Sequence, residues 1–260
     1  MLIKSRLLLF TLLAGLSAVS FCQAPALTTK AQTPQEFLQL MVGQKLIMLH
    51  FGDSREIRLK AKELDKIKNT CYLAVQIKSA EWNKDKAEFY WENIGTPSVH
   101  GIPRGICQAT VVHNRGAIVV TNFPENESVE SFAGSIIKLF QTPEQYLAAA
   151  GISFNYTEET DIERSVGYID KTITAPKPLL TVDAAFGDHV QTRNFHGAVA
   201  IGFYVGTDGR VHRPRIVKSL DKDLDEQVLK VMPMWRFEPA RKEGSPIPVN
   251  MNIEMSFNTY

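Results

Sequence analysis

The sequence predicts an α+β protein: a small β-rich domain with flanking helices over residues 33–160, a linker over 161–182, and a second unit over 183–260 in which one helix packs on a sheet. Three observations carry this. Several short segments alternate apolar and polar residues with a period of two, the mark of a half-buried strand. Helical periodicity is confined to a few segments, most with their own start signals. Between the units, Gly151 to Thr181 lacks a long period and contains Ala175-Pro176-Lys177-Pro178, so the boundary is expected near Ile169 to Val182. A net charge of +1 at pH 7 offers no basic excess for nucleic acid, and 44% apolar residues suffice for real cores.

At the start, Lys4 and Arg6 precede an apolar run from Leu7 to Phe21, with small and polar residues around Cys22 to Ala26. This is the tripartite pattern of a secretory signal peptide over residues 1–26. Ala24-Pro25-Ala26 offers an Ala-x-Ala site, and the mature chain is expected to begin between Gln23 and Leu27. Two other readings stay open. An uncleaved membrane anchor wants about 20 apolar residues, more than this run supplies. Lipid attachment at Cys22 wants a small residue before the cysteine, where Phe21 stands.

The β-rich domain opens on Thr33-Pro34-Gln35-Glu36, a threonine N-cap with proline at the first helical position and glutamate three on, for a helix through about Met41. Lys45 to Phe51 and Ile57 to Leu59 read as strands about the Gly52-Asp53-Ser54 turn. Tyr72 to Ile77, Ala87 to Ile94, Ala109 to His113 and Ala117 to Thr121 continue the pattern, with Asn114-Arg115-Gly116 as the last hairpin. Val129 to Phe140 has helical spacing, and Thr142-Pro143-Glu144-Gln145 repeats the start signal for a helix over Glu144 to Ala150.

In the second unit Asp183 to Phe195 is expected to hold a docking helix. Ala198 to Val205 and Val211 to Val217 are rich in β-branched residues, and Gly206-Thr207-Asp208-Gly209 between them is an Asp-Gly hairpin signal. Leu220 to Met232 reads as an amphipathic helix with Leu224, Val228 and Val231 on one face and acidic residues near its N-terminal end. In Met234 to Ala240, period two places Trp235 and Phe237 on a buried face and Arg236 and Glu238 on the wet one, and Pro239 ends the strand. Trp235, Phe237 and Pro239 are therefore assigned to the structural core. A turn over Arg241 to Pro246 leads into a final alternating segment, Val249 to Phe257.

Gly197-Ala198-Val199-Ala200-Ile201, Asp208-Gly209-Arg210-Val211, Leu224-Asp225, Trp235-Arg236-Phe237-Glu238-Pro239-Ala240, Gly244-Ser245-Pro246-Ile247-Pro248-Val249 and Ile253-Glu254-Met255-Ser256-Phe257 stand in one register. Together they resemble the TonB C-terminal domain family over about residues 183–260. The resemblance implies a three-stranded antiparallel sheet with a packed helix. It also implies a periplasmic energy transducer or adaptor that supports transmembrane transport. Its partner would be an outer-membrane TonB-dependent receptor, reached by strand addition at Pro248, Val249, Asn250, Met251, Asn252, Ile253 and Glu254. An inner-membrane proton-driven complex is a further partner of such transducers. The Ser-His motif of their membrane helix and their long proline-rich spacer do not stand in this sequence. A homodimer through the same edge, or a soluble envelope binding module with its ligand site in the β-rich domain, are the alternatives.

The remaining residue types point away from chemistry. Cys71 and Cys107 form an even pair once the signal is removed, and a disulfide between them stands beside the reading of two separate buried thiols. Six histidines are scattered without zinc-ligand spacing, so no metal site and no cofactor is expected. Neither a Gly-x-Ser-x-Gly elbow nor a phosphate-binding glycine loop is present, and no enzyme is expected. Arg210, Arg213, Arg215 and Lys218 read as a solvated face or as a contact patch for an acidic partner.

Overall fold

A computed structural model describes residues 30–51, 54–67, 71–101, 113–124, 126–153, 171–185 and 196–258. The expected signal peptide, Cys22, Cys107 and most of the segment from Ala109 to His113 lie outside the described residues.

Helix α1 (Pro34–Met41) begins as its first residues dictate. Thr33 Oγ1 accepts from Glu36 N at 3.1 Å, and the Glu36 carboxylate reaches back to Gln32 N at 2.7 Å. Strand β1 (Lys45–Leu49) then pairs antiparallel with β3 (Tyr72–Asn83). The expected partner across the 52–54 turn, β2 (Glu56–Lys60), pairs instead in parallel with β5 (Arg115–Thr121). Two strands read as short are long: β3 runs to Asn83, and after a tight turn at Lys84-Asp85, with Lys84 at φ 58°, β4 (Lys86–Val99) begins. That turn has no glycine, so the hairpin carries no sequence mark. Arg115 and Gly116, read as a hairpin turn, are the first residues of β5, paired with Glu92 and Trp91.

Helix α2 (Val129–Ile136) stops short of the expected Phe140 because Phe140 pairs with Met48 in β6 (Phe140–Gln141). Helix α3 (Pro143–Ala149) opens on a complete capping box: Gln145 N donates to Thr142 Oγ1 at 3.3 Å and Thr142 N donates to Gln145 Oε1 at 2.9 Å. Residues 173–182 of the segment read as a linker are largely strand, in β7 (Ile173–Thr174) and β8 (Lys177–Ala184). Leu180 and Val182 are fully buried and β8 pairs with β4, which is why the prolines do not leave the segment loose. The helix expected from Asp183 is likewise corrected at its start, since Asp183 and Ala184 end β8, while residues 186–195 lie outside the described residues.

The second unit adds β9 (His196–Val205), β10 (Val211–Lys218), helix α4 (Lys222–Val231), β11 (Arg236–Glu238), β12 (Arg241–Lys242), β13 (Ser245–Pro246) and β14 (Val249–Asn258). An eight-stranded sheet has the order β11-β8-β4-β3-β1-β6, with β5 on β4 and β2 on β5. A three-stranded antiparallel sheet has the order β10-β9-β14, and β13-β12-β7 form a small third one. The chain is thus α+β. Strand β11 crosses from the second unit into the large sheet, where it pairs with β8.

The large sheet is a middle layer. Leu46 and Met48 face a core completed by α1 and α2, with Phe132 between Phe37, Trp82 and Phe123. Ile47, on the opposite face of the same strand, joins a second core with β8, β9, α4, Trp235 and Phe237. Burial on both faces explains why β1 reads as a continuous apolar run rather than an alternation.

Candidate functional site

The site is built on β9. Val199, Ile201, Phe203 and Val205 are fully buried on one face, and Leu224, Val228 and Val231 of α4 belong to the same core. Helix α4 is placed by Asp221, whose Oδ1 accepts from Asp223 N at 2.9 Å and Leu224 N at 3.3 Å. With β9 fixed, β14 pairs to it from Val249 opposite Val205 to Asn258 opposite His196, without a register shift. The other side of β14 carries no strand among the described residues.

The two edges of this sheet differ. Strand β10 shifts register between His212 and Arg215 and again between Ile216 and Lys218, holds Arg213 at φ 49°, and contains Pro214. Bulges, a missing N–H and charged side chains blunt an edge against further pairing. Arg215 lies over the Tyr204 ring at 5.9 Å. Strand β14 has neither bulge nor proline and one charged side chain, Glu254: ten consecutive residues keep one register and leave a row of backbone groups facing outward.

Along that edge Pro248 and Val249 are buried, Asn250 is half-buried, and Asn252 and Glu254 are exposed. Met251, Ile253 and Met255 are half-buried and pack against the core from its rim. Asn252 lies over Gly202, where a Cβ would come within 2.9 Å of its Oδ1, so the small residue lets the edge side chain lie down on the sheet. Asn250 Oδ1 is buried and without a hydrogen-bond partner among the described residues. An edge of this kind supplies backbone donors and acceptors to an extended segment, with a half-covered apolar row beneath for its alternate side chains.

Below the sheet lie Trp235, 9% exposed, and Phe237, 3% exposed, with Pro239 half-buried. Trp235 Nε1 donates to Val182 O at 3.0 Å, and the Phe237 ring sits 5.9 Å from that of Phe203. Arg236, placed on the wet face by period two, is buried instead. Its Nε donates to Glu144 Oε1 at 2.9 Å and its Nη1 to Pro233 O and Trp235 O at 2.8 Å each, while Nη2 forms an ion pair with Glu144 Oε1 at 2.8 Å. Arg210 also donates to Glu144 Oε1 at 2.8 Å. Burial pushes the Glu144 carboxyl up, but the two guanidiniums outweigh it and hold the group below the usual carboxylate range. No local pattern in the sequence announces this contact, since the partners stand 92 residues apart.

The Asp-Gly turn before β10 is held similarly. Asp208, 3% exposed, accepts from Arg210 N at 2.9 Å and from His212 Nε2 at 3.0 and 3.1 Å. Burial raises its pKa, while His212 and the Arg210 backbone lower it further, to a net value below the ordinary one. Cys71 is disulfide-bonded, and Cys107, named beside it from the sequence, lies outside the described residues. Among the described residues no three His, Cys, Asp or Glu side chains gather to hold a metal ion, and no helix is long and apolar enough to cross a membrane.

Residues 185–259 match the family described as Gram-negative bacterial TonB protein C-terminal. The solution structure of the Pseudomonas aeruginosa TonB C-terminal domain is similar at 24% identity over 36% of this chain and 96% of that one, with a TM-score of 0.27. No curated protein matches the chain. The order of strand, Asp-Gly hairpin, strand, helix, Trp-Arg-Phe-Glu-Pro and closing strand falls within the matched residues. Residues 185–259 are accordingly a TonB C-terminal domain, the C-terminal module of the TonB family.

Proposed function

We propose that the protein is a non-enzymatic envelope protein that engages an outer-membrane transporter by strand addition along residues 248–256, supporting transport across that membrane. The observation that carries the reading is the contrast between the two edges of the β10-β9-β14 sheet: one bulged and proline-bearing, the other regular over ten residues and unpaired among the described residues. Main-chain hydrogen bonds along β14 supply affinity, and the half-buried Met251, Ile253 and Met255 supply selectivity for alternate apolar side chains. If the N-terminal segment stays in the inner membrane, the protein is an energy transducer with proton-driven partners. If that segment is cleaved, the protein is a periplasmic adaptor. The intact mass of the native protein, taken from separated periplasm and membranes, distinguishes the two.

The test is a cysteine at Asn252, crosslinked in intact cells. A band joining the protein to an outer-membrane transporter is the expected result, lost when proline is placed within β14. A second reading, self-association, rests on the same observation, because a regular edge can pair with its own copy. A band at twice the subunit mass and none with a transporter would select that reading and remove the first.

A further inference from the structure

The chain ahead of residue 185 has no role in the transporter reading, yet it grips one end of the sheet that carries β14. Two contacts do this. Both fall at the Val249 end, where Val249 of β14 and Val211 of β10 stand opposite the same residue of β9, Val205.

The first contact is at the tip of the β9-β10 hairpin. Gly206 N donates to Arg210 O and Gly209 N to Gly206 O, each at 3.0 Å, so the tip is a closed turn. It is tied outward as well. Phe237 N donates to Gly209 O at 2.8 Å, and Arg210 forms an isolated antiparallel bridge with Arg236. The guanidiniums of both arginines then meet at one atom of α3, Glu144 Oε1, at 2.8 Å from Arg210 and 2.9 Å from Arg236.

The second contact is on the approach to β14. Strand β12 pairs with β13 on one side and with β7 on the other, Arg241 opposite Thr174 and Lys242 opposite Ile173. Strand β13 ends at Pro246, just ahead of Val249, and Ile247 N donates to Ala240 O at 2.9 Å to close the loop. The far end of the sheet is packed from within its own unit. Gly197, opposite Phe257, lies under Leu220, where a Cβ would come within 2.7 Å of Cδ1.

We propose that the chain ahead of residue 185 is a clamp that fixes the Val249 end of β14 for its partner, with Glu144 as the positioning residue that closes it. A strand end ordered in advance does not have to be ordered when an extended segment docks, so the clamp lowers the cost of association. Charged hydrogen bonds suit this task, being stronger than neutral ones and specific in geometry. The consequence for binding rests on the transporter reading, and the clamp itself does not.

The experiment is amide hydrogen exchange on the full chain carrying Glu144→Gln, which removes the charge and keeps an oxygen acceptor. Exchange at Gly206 and Gly209 and at the protected amides of Val249 to Asn252 is expected to quicken about tenfold, with little change from Glu254 to Asn258. Phe132→Leu, in the first core, is the control for a general loss of stability and is expected to quicken both ends alike. In intact cells, the crosslink from Asn252→Cys to the transporter is expected to fall about threefold when Glu144→Gln is added at equal protein level. Exchange that quickens alike at both ends in Glu144→Gln, or at neither, overturns the clamp. Crosslinking as strong in Glu144→Gln as in the parent overturns its bearing on binding, whereas no transporter band from the parent removes the transporter reading and leaves the exchange result standing.

Discussion

Glu144 stands on α3 and takes one charged hydrogen bond each from Arg236 and Arg210, residues of the C-terminal unit, with the Arg236 Nη2 as a further ion-pair contact. Removing one member of a buried pair strands the other charges, at a cost of about 3–5 kcal/mol. Glu144→Ala is therefore expected to lower stability by several kcal/mol in urea unfolding; a loss under about 1 kcal/mol would mean the guanidiniums find water instead. The same group gives a pH dependence. Its folded pKa lies below the ordinary 4.5, so its stabilisation is complete above that value and is lost as pH falls through the depressed one. Asp208 acts in the same direction from an ordinary 3.8. Melting temperature should fall on acidification through this range, and less steeply in Glu144→Ala. Trp235 separates packing from hydrogen bonding: Trp235→Ala should cost about 3–5 kcal/mol as a large core truncation, and Trp235→Phe, which loses the bond to Val182 O, about 1 kcal/mol beyond its smaller volume change. A Trp235→Ala protein that melts like its parent would contradict the burial of this ring.

At the scale of the element, β14 and β10 flank the same central strand and differ in kind. A strand paired on one side only points alternate N–H groups at solvent, so amide hydrogen exchange along Val249 to Asn258 should alternate fast and slow, while β9 is protected over Ala200 to Val205, where it is paired on both sides. Uniform protection along β14 would mean that a partner already covers the edge. The alternation also decides the proline experiment, because Asn252 and Ile253 point their N–H groups to opposite sides. Proline at the one facing outward is expected to abolish partner binding with modest loss of fold, and proline at its neighbour to break the pairing with β9 and destabilise the sheet. If partner binding survives proline at both positions, strand addition along this edge is wrong.

For the whole molecule, the consequence lies in β8. It pairs with β4 on one side and with β11 on the other, and the second core draws on Ile47, Ile94 and Leu147 as well as on β9 and α4. Unfolding either part exposes the apolar face of the other. Heating the full chain is therefore expected to give one cooperative transition, with calorimetric and van't Hoff enthalpies in agreement. A fragment of residues 185–260 alone should melt lower and bind a hydrophobic dye, because Trp235 and Phe237 lose Leu180 and Val182. Two separate transitions in the full chain would mean that the shared sheet does not couple the parts.

What the sequence by itself determined is local. The caps at Thr33 and Thr142, the Asp-Gly turn, the amphipathic face of α4 and the alternation of β14 all act within a few residues, where side-chain chemistry settles backbone geometry directly. The motifs over 197–257 were legible for the same reason, since each is a short run in fixed register. Only the tertiary structure decided the rest. Period two puts Arg236 in water, yet Glu144, 92 residues away, makes its burial possible. Prolines at 176 and 178 read as a linker, yet the segment is a strand because β4 and β11 both have edges to fill. Trp91 meets Gly116 because β4 pairs with β5, and β5 pairs in parallel with β2, an alignment that no turn between them encodes. Contacts across such distances are selected by the packing of whole layers, and the linear pattern carries only the residues that will meet, not the meeting.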